Sequence, residues 1–187
     1  MVTLPVPNPT RQPPRPPASA SAMAAGEFHV LPFTVAIDTR EQTPWLFRGL
    51  AGGAKEKYAP LLVKRERKTL DAGDYSIVGM ERQIAIERKS ESDLWSTLGQ
   101  GRARFQAEHE RMANIVQNGG FAAVLIEAEM SKSLDNPPGG TLLNPASVAG
   151  TMTSWMMKYR VPWIWCGGRE AAEKMCLRIL RRAWESG

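Results

Sequence analysis

Short apolar runs alternate with helical patterns through the second half of the chain, and this alternation most constrains the fold. Three predicted strands, IAIER (84–88), FAAVLIEAE (121–129) and VPWIWC (161–166), are separated by the helical patterns SESDLWSTLG and RARFQAEHERMANIVQNGG and by a helix predicted from Asn144 to Tyr159. A last helix is predicted from about Arg169 to Trp184. Strands joined by helices lie parallel with right-handed crossovers, and a near-continuous apolar run is typical of a strand covered on both faces. The pattern therefore predicts parallel strands between layers of helices.

The first half of the folded region predicts antiparallel strands instead. FTVAID (33–38) is a short run with β-branched residues that ends in an acid, and DAGDYSIVG (71–79) begins as a turn and becomes a strand that a hairpin joins to IAIER. Residues 39–57 are predicted as loop or short helix, and LLVKRERKTL (61–70) could be a helix end that runs into a strand. Together the two halves predict an α/β fold with a central mixed β-sheet flanked by helices on both sides.

The composition supports one folded domain with a separate N-terminal tail. The chain has 187 residues, of which 43% are hydrophobic and 23% charged, and it contains no apolar run of the ~20 residues that a membrane span needs. Residues 1–27 are dense in Pro, Ala and Ser, so we predict a disordered tail ahead of a domain at 28–187. The prolines interrupt any signal-peptide core, and the two cysteines, Cys166 and Cys176, are predicted to be buried free thiols in a reducing compartment. We therefore predict neither secretion nor membrane association.

The strand IAIER ends in a dense group of charges. Side chains alternate faces along a strand, so Glu87 and Lys89 share one face, about 7 Å apart at the backbone, and Arg88 points to the other. An acid and an amine that converge beside a second acid are the outline of a divalent-metal hydrolytic site. Carboxylates are hard ligands for Mg²⁺ or Mn²⁺, and a lysine can orient water or stabilise developing charge. The alternative is a solvated surface ion pair, which is common for Glu-X-Lys.

Two further acids can reach this site. Asp74 lies in the GDY turn at 73–75, where hairpin pairing would bring it near Glu87, and Asp38 ends the first strand. Three carboxylates at strand ends repel one another without a cation, which favours a bound metal. Asp74 could equally be an ordinary turn aspartate, and Asp93 could be half of a Ser-X-X-Asp capping box at the start of the next helix.

The ordered set of motifs resembles one nuclease family. GDY (73–75) followed by ERKSESD (87–93) is similar to the signature of the XPF-type nuclease domain, which belongs to the PD-(D/E)XK, restriction-endonuclease-like superfamily. Further segments resemble that family in the same order: DTRE (38–41), GQGRARFQ (99–106), AAVLIE (122–127) and VPWIWCGGREAAEKMCLRIL (161–180). The resemblance extends from about Val35 to Trp184, so it implies a restriction-endonuclease-like fold for nearly all of the folded chain.

The resemblance implies a role for each matched position. Asp38, Asp74 and Glu87 would be the metal-site acids, and together with Lys89 they would form the catalytic set around Mg²⁺ or Mn²⁺. The supporting or DNA-binding positions would be Arg40, Glu41, Arg88, Asp93, Arg102 and Gln106. Strand alternation favours an ion-pairing or architectural role for Arg88, with Asp93 as its candidate partner. Arg102 and Gln106 lie one helical turn apart and face either the cleft or solvent.

We therefore predict a metal-dependent DNA endonuclease that hydrolyses phosphodiester bonds at branched or flap-like DNA in repair or recombination. The alternative is a catalytically silent DNA-binding or scaffold subunit of a nuclease complex, against which the intact acid-and-lysine set argues. A third interpretation is a small interaction module whose charges only decorate its surface. The net charge of +5 is compatible with DNA, although it would serve solubility as well.

Further expectations concern assembly, location and the remaining aromatic residues. We recognise no helix-hairpin-helix domain, so we expect either a standalone nuclease or an excised domain, cytoplasmic if bacterial or phage-like and nuclear if eukaryotic. The apolar last helix packs on its own sheet or forms a homodimer through the nuclease domain. His109 is predicted to be a surface or core residue rather than a catalyst, and the tryptophans are predicted as core or interface packing: Trp155, Trp163 and Trp165.

Overall fold

The computed structural model describes residues 28–186, which fold around a six-stranded sheet. The strands are β1 (His29–Asp38), β2 (Leu61–Lys68), β3 (Tyr75–Ile77), β4 (Ile84–Lys89), β5 (Phe121–Ile126) and β6 (Trp163–Trp165). The α-helices are α1 (Glu91–Gly99), α2 (Arg102–Gln117), α3 (Met130–Asp135), α4 (Pro145–Tyr159) and α5 (Arg169–Ser186), and a short 3₁₀ helix spans Ala54–Glu56. Among these helices, none has the length and apolar character to cross a membrane. The tail predicted at 1–27 lies outside the described residues.

The sheet is mixed, as predicted, with the strand order β2-β1-β3-β4-β5-β6. The last three strands pair in parallel, whereas β3 pairs antiparallel with both β1 and β4, so the predicted hairpin is present. The expectation of antiparallel strands in the first half is wrong for β2, which pairs parallel with β1. The connection at 39–60 returns from the end of β1 to its beginning, where His29 is level with Leu61, and a return of this kind makes a parallel pair.

Helices cover both faces of the sheet, as predicted. On one face, α1, α2 and α4 pack through buried residues that include Leu94, Met112 and Trp155. On the other face, α5 packs through Cys176 and Leu180, so this helix uses much of its apolar face on its own sheet. Strand β5 has helices on both sides, which explains its near-continuous apolar sequence.

Local sequence signals fix the starts of two helices. Ser90 Oγ accepts a hydrogen bond from the Asp93 N–H at 3.2 Å and donates one to Asp93 Oδ2 at 2.6 Å, so Ser90 caps α1 as the Ser-X-X-Asp pattern predicts. Asn144 Oδ1 accepts from the Ala146 N–H at 2.8 Å, with Pro145 at the first position of α4. The sequence did not predict α3, whose 6 residues are too few for a helical period to be recognised.

Strand alternation divides the end of β4 between the two faces of the sheet. Its first three residues alternate between the two buried clusters, with Ala85 alone on the side of α1, α2 and α4. Glu87 and Lys89 therefore lie on the α1–α2 side, and Arg88 lies on the α5 side. Because β1 and β4 are both antiparallel to β3, they run in the same direction, and Asp38 at the end of β1 lies at the same edge of the sheet.

Candidate active site

A polar cleft opens at the sheet edge where β1 and β4 end. Its volume is about 550 Å³, and its lining is mostly charged: Asp38, Arg40, Glu41, Asp74, Glu87, Arg88, Lys89, Asp93, Arg104, Glu108 and Arg111, with Phe105 beneath. All the predicted catalytic residues belong to this lining. A larger groove of about 770 Å³ lies at the opposite edge, between the starts of β4 and β5 and the end of α5, but its described lining contains no carboxylate. Of these two cavities, the polar cleft is the one whose lining combines acids with a lysine.

Asp74 is held against β4 by both its backbone and its side chain. Its N–H donates to the Ile86 carbonyl at 2.8 Å, and its Oδ2 accepts from the Arg88 N–H at 2.7 Å. The preceding residue, Gly73, has φ +69°, and a Cβ there would lie 3.0 Å from the Ile86 carbonyl oxygen. Glycine is therefore required where the turn passes close to β4. This approach brings the Asp74 carboxylate beside Glu87, as the hairpin predicted.

Glu87 and Lys89 form an ion pair that is largely buried. Lys89 Nζ donates to Glu87 Oε1 at 2.8 Å, and the lysine and glutamate side chains are 14% and 9% exposed. Lys89 Nζ also lies 4.5 Å from the centre of the Phe105 ring, which packs against it from α2. The converging acid and amine predicted from strand alternation are thus present inside the cleft.

Burial and charge repulsion shift the ionisation of these three groups. Burial raises the pKa of Asp74 well above its ordinary value, and the nearby Glu87 charge raises it further. Burial also raises the pKa of Glu87, while the Lys89 charge opposes that shift. Burial lowers the pKa of Lys89, but the attraction of Glu87 outweighs it, so the pKa is raised overall. The base of the cleft thus holds two crowded carboxylates beside one protonated lysine, a set that a cation would stabilise.

The two carboxylates have the donor chemistry of a magnesium or manganese site. Within residues 28–186, neither Asp74 Oδ1 nor Glu87 Oε2 has a hydrogen-bond donor, so each carboxylate keeps an unused acceptor. The same part of the chain contains no group of three His, Cys, Asp or Glu side chains that could hold a metal by themselves. Mg²⁺ is commonly bound by one or two carboxylates, with water and substrate phosphate as its other ligands. Asp74 and Glu87 fit that mode of binding.

Comparison with known proteins assigns this chain to a family. The family model for the ERCC4 domain matches residues 37–177, a range that includes Asp38, Asp74, Glu87 and Lys89. The chain belongs to the ERCC4-domain family.

Solved structures support the same assignment at the level of the fold. The ERCC4 domain described here is similar to XPF from Aeropyrum pernix, with a TM-score of 0.55 and 19% identity over 80% of this chain and 64% of that chain. It is also similar to XPF from Aeropyrum pernix in complex with DNA, with a TM-score of 0.54 and 19% identity over 82% of this chain and 66% of that one. The chain thus spans about two-thirds of the length of these structures. No curated protein sequence matches it. The predicted resemblance to an XPF-type nuclease domain and the mixed-sheet α/β fold are confirmed.

Asp38 is occupied by hydrogen bonds within the ERCC4 domain. Its Oδ1 accepts from the Arg40 N–H at 2.7 Å and from Arg40 Nε at 2.8 Å. Its Oδ2 accepts from Arg40 Nη2 at 2.9 Å and from the Leu70 N–H at 2.7 Å. Burial raises the pKa of Asp38, but the bonds from Arg40 and Leu70 outweigh it and leave the pKa below its ordinary value. Because both oxygens are engaged, the geometry favours a positioning role, and a metal-ligand role for Asp38 stays a prediction.

The two motif residues after β1 also line the cleft. Arg40 remains 58% exposed although Asp38 binds its guanidinium. Glu41 Oε1 accepts from the Thr43 N–H at 2.7 Å and lies 3.4 Å from Arg88 Nη1. Arg40 therefore stands where a substrate could contact it, whereas the Glu41 side chain is only 9% exposed and is held by Arg88. The supporting or DNA-binding roles of both residues stay predictions.

Arg88 forms its ion pair on the opposite face of β4. Its Nε and Nη2 donate to the two carboxylate oxygens of Glu127, each at 2.8 Å. The predicted ion pairing is thus present, but the predicted partner Asp93 is wrong. Asp93 accepts from Ser90 Oγ at the start of α1, on the other side of the sheet edge, so its side chain serves the helix cap.

Glu127 ties the cleft wall at 39–47 to the sheet. Its Oε1 accepts from Trp45 Nε1 at 2.7 Å and from Arg169 Nη1 at 3.3 Å. Arg169 Nη2 in turn donates to the carbonyls of residues 43–44 at 2.8 and 2.9 Å. No role for Glu127 was predicted from the sequence, although this residue ends the motif AAVLIE. Only the register between β4 and β5 brings Glu127 beside the end of β4.

Arg102 and Gln106 do not line the cleft. Arg102 Nη1 donates to Thr151 Oγ1 at 3.0 Å, and its guanidinium lies 5.2 Å from the ring centre of Trp155, so it faces α4. Gln106 Nε2 donates to Glu110 Oε1 at 3.1 Å along the helix surface. The alternative in which these residues face the cleft is therefore wrong, because the rotation of α2 turns them toward α4 and solvent. A DNA-binding role for either residue stays a prediction.

Helix α2 instead presents Arg104, Glu108 and Arg111 to the cleft. Their spacing of four and three residues places them on one face of the helix. Glu108 Oε1 accepts from the Gly73 N–H at 2.6 Å, and its other oxygen pairs with Arg111. None of these three residues was predicted from the sequence. The apolar positions of α2 indicate which face meets the sheet, but they do not reveal which flank borders the cleft.

His109 lies in the core behind the cleft. Trp163 Nε1 donates to His109 Nε2 at 2.8 Å, so His109 carries its proton on Nδ1, which donates to the Phe105 carbonyl at 2.9 Å. Burial lowers the pKa of His109 to about 4, so the ring is neutral near pH 7. Trp155 and Trp163 pack against it with ring centres 4.8 and 5.4 Å away. These aromatic residues are core packing, as predicted.

Proposed function

We propose that the chain is a DNA endonuclease that requires Mg²⁺ or Mn²⁺ to hydrolyse phosphodiester bonds. One observation carries the proposal: Asp74, Glu87 and Lys89 come together in the polar cleft of an ERCC4 domain. Two acids with unused acceptors and one protonated lysine are the groups that metal-assisted phosphodiester hydrolysis uses, as metal ligands and as a stabiliser of negative charge.

Each residue of this set has a separate task in the proposed mechanism. Asp74 and Glu87 would hold the cation, with the Arg88 N–H fixing the first carboxylate and Lys89 fixing the second. When bound, the cation would lower the pKa of a coordinated water and offset phosphate charge. Lys89 stays protonated, because Glu87 raises its pKa against the effect of burial, so it acts as a hydrogen-bond donor and not as a base. Its task is to stabilise the negative charge that develops on the phosphate oxygens.

The proposed substrate is branched or flap-like DNA, in repair or recombination. Two observations support DNA: one similar structure is XPF from Aeropyrum pernix in complex with DNA, and this chain carries a net charge of +5. The preference for branched structures rests on the resemblance of the motifs at 73–75 and 87–93 to the XPF-type signature.

Assembly and location are separate proposals. A homodimer through α5 is supported by Trp184, which remains 40% exposed although it packs against Phe33 at 5.8 Å. A nuclease domain at 28–187, in the cytoplasm or in the nucleus, stays a prediction.

The test is cleavage of labelled flap, fork, splayed-arm and linear duplex DNA with Mg²⁺, with Mn²⁺ or with EDTA. We expect cleavage with either metal, none in EDTA, and a rate that is roughly 10³-fold lower for Lys89→Ala. Lys132→Ala is the matched control, since Lys132 is 77% exposed on α3 and lies outside the cleft. Undiminished cleavage in EDTA, or by Lys89→Ala, would contradict the proposal.

A binding measurement separates this function from a catalytically silent scaffold. A scaffold would bind DNA with strong salt dependence and yield no product with either metal. A nuclease of the proposed kind should also bind metal without DNA, because a ligand that binds only the native state raises its melting temperature. We expect Mg²⁺ to raise the Tm of the wild type and to leave the Tm of Asp74→Asn unchanged.

A further inference from the structure

Helix α2 forms one wall of the cleft with a single face of charged residues. This face, which we call the α2 ridge, consists of Arg104, Glu108 and Arg111. The neighbouring Phe105 is 2% exposed and anchors the helix in the core, so the ridge has a fixed orientation. The segment that follows β1 contributes another basic side chain to the cleft, the exposed Arg40.

Arg104 differs from the other basic residues of the cleft in its partners. The others each pair with an acid of the fold: Arg40 with Asp38, Arg88 with Glu127, Lys89 with Glu87, and Arg111 with Glu108. Across the described range 28–186, no carboxylate lies within ion-pair distance of Arg104, although its side chain lines the cleft. Its guanidinium is therefore available to a ligand.

The charge distribution of the cleft indicates which ligand this is. Asp74 and Glu87 repel an approaching polyanion, so a DNA strand needs cationic contacts beside them. A guanidinium presents a planar fork of donors that matches phosphate oxygens, and it keeps its charge at any physiological pH. We propose that Arg104 binds a DNA backbone phosphate next to the phosphodiester that is cut. This inference rests on the proposed function and deepens it.

The α2 ridge is also connected to the acids at the base of the cleft. Glu108, one helical turn beyond Arg104, accepts the hydrogen bond of the Gly73 N–H at 2.6 Å, and Gly73 directly precedes Asp74. Arg104 and Asp74 are thus connected through Glu108 and Gly73. A phosphate bound at Arg104 would therefore set which phosphodiester of the strand lies over Asp74 and Glu87.

The first test compares two arginine substitutions with the same change of charge. Binding of labelled flap DNA is measured in EDTA by fluorescence anisotropy over a series of KCl concentrations, for the wild type, Arg104→Gln and Arg82→Gln. Arg82 is an exposed arginine in the turn before β4 and lies outside the cleft lining. We expect Arg104→Gln to weaken binding roughly three- to tenfold and to reduce the slope of log K against log [salt] by about 0.9, the value for one lost phosphate contact. Arg104→Lys should restore most of the slope, because it restores the charge.

The second test follows the register of the cut. Products of flap cleavage with Mg²⁺ are mapped to single nucleotides, and we expect Arg104→Gln to spread the cut over neighbouring positions while Arg82→Gln leaves it unchanged. If Arg104→Gln matches the wild type in affinity, salt slope and cut position, the inference is overturned while the proposed function stands. If the wild type neither binds nor cuts DNA, the proposed function fails as well, so the two failures are distinguishable.

Discussion

The two sides of the β4 end are built from consecutive residues, yet their electrostatic states are opposite. On the α5 side, the Arg88 guanidinium meets both oxygens of Glu127 at 2.8 Å, so its charge is offset within the fold. On the α1–α2 side, Asp74 and Glu87 share the nearby charge of Lys89, and burial raises the pKa of both acids. The Arg88 charge is thus balanced within the fold, whereas Lys89 does not fully balance the two carboxylates.

The Arg88 side therefore contributes to the stability of the fold, and the Asp74 and Glu87 side to the proposed catalysis. A buried charge with a complete set of partners holds the elements around it in place, whereas crowded acids cost free energy until a cation binds. A strand achieves this separation without additional residues, because neighbouring side chains point to opposite faces of the sheet. Substitutions on the two sides should consequently fail in different ways.

The largest expected effect is a loss of activity, and it comes from a substitution on the Asp74 and Glu87 side of β4. Asp74→Asn should reduce the cleavage rate by about 10³- to 10⁴-fold, because the amide cannot serve as an anionic metal ligand. The folded state raises the pKa of Asp74, so ionisation destabilises the fold as pH rises through that pKa, and the neutral amide removes this penalty. Thermal unfolding near pH 7 without metal should show an unchanged or higher Tm. A clear fall in Tm would mean that Asp74 belongs to the structural side instead.

The next largest effect is a loss of stability, and it comes from a substitution on the Arg88 and Glu127 side of β4. Glu127→Ala should lower the free energy of unfolding by about 3–5 kcal/mol, because the buried Arg88 guanidinium loses both of its 2.8 Å bonds and is left with the longer ion pair to Glu41 at 3.4 Å. Glu129→Ala is the control, since Glu129 pairs only at the surface, and its effect should be within about 0.5 kcal/mol. Urea unfolding measures both. Hydrogen exchange should also become faster in residues 39–47, because Trp45 and Arg169, which hold this segment, lose their shared acceptor. Equal effects of the two substitutions would show that Glu127 does not tie this segment to the sheet.

A third prediction concerns the neutral core behind Lys89. The folded state holds the pKa of His109 at about 4, below its ordinary value of 6.5, because burial disfavours the charged ring. The unfolded chain therefore binds a proton first as the pH falls, and about 3 kcal/mol of stability should be lost between about pH 6.5 and 4. Unfolding curves at a series of pH values measure this slope. His109→Gln should reduce this dependence of stability on pH, even if the variant is itself less stable than the wild type. An unchanged slope would show that His109 does not cause the pH dependence.

The smallest expected effect comes from the start of α1. It shows whether this cap takes part in catalysis or only stabilises the helix. Ser90→Ala removes the N-cap of α1 and should cost about 1 kcal/mol, the usual value for a lost cap. Asn144→Ala removes the corresponding cap of α4, away from the cleft, and should cost a similar amount. Cleavage rates at a temperature where both variants are folded should agree. A selective loss for Ser90→Ala would give Asp93, its partner, a part in the chemistry.

The features predicted correctly from the sequence are those that depend on residues close together along the chain. Alternation along β4 put Glu87 and Lys89 on one face, and the hairpin brought Asp74 beside them. Contacts between distant segments were less accessible: the parallel pairing of β2 with β1 follows from the long return at 39–60, and the partner of Arg88 comes from β5. A strand sequence does not encode its own register with a distant strand as strongly as it encodes its two faces.

The rotation of α2 was the other quantity that the sequence left open. The motif GQGRARFQ drew attention to Arg102 and Gln106, but Phe105 is the residue that enters the core, and its burial turns Arg104 and Glu108 toward the cleft. Residues two positions apart on a helix are separated by about 200° of rotation, so the two choices face nearly opposite directions. Only the packed structure distinguishes them.

The close passage of Gly73 against β4 makes the site adjustable from a position that carries no functional group. A single methyl at residue 73 would meet the Ile86 backbone at 3.0 Å and would disfavour the left-handed conformation there, so the turn would have to move away from the strand. Every polar atom of the cleft would still be present, and the distance between Asp74 and Glu87 would nonetheless grow. Gly73→Ala is therefore a route to a protein that retains its DNA contacts and its ionisable groups while losing the alignment between them, a useful trap for an uncleaved complex.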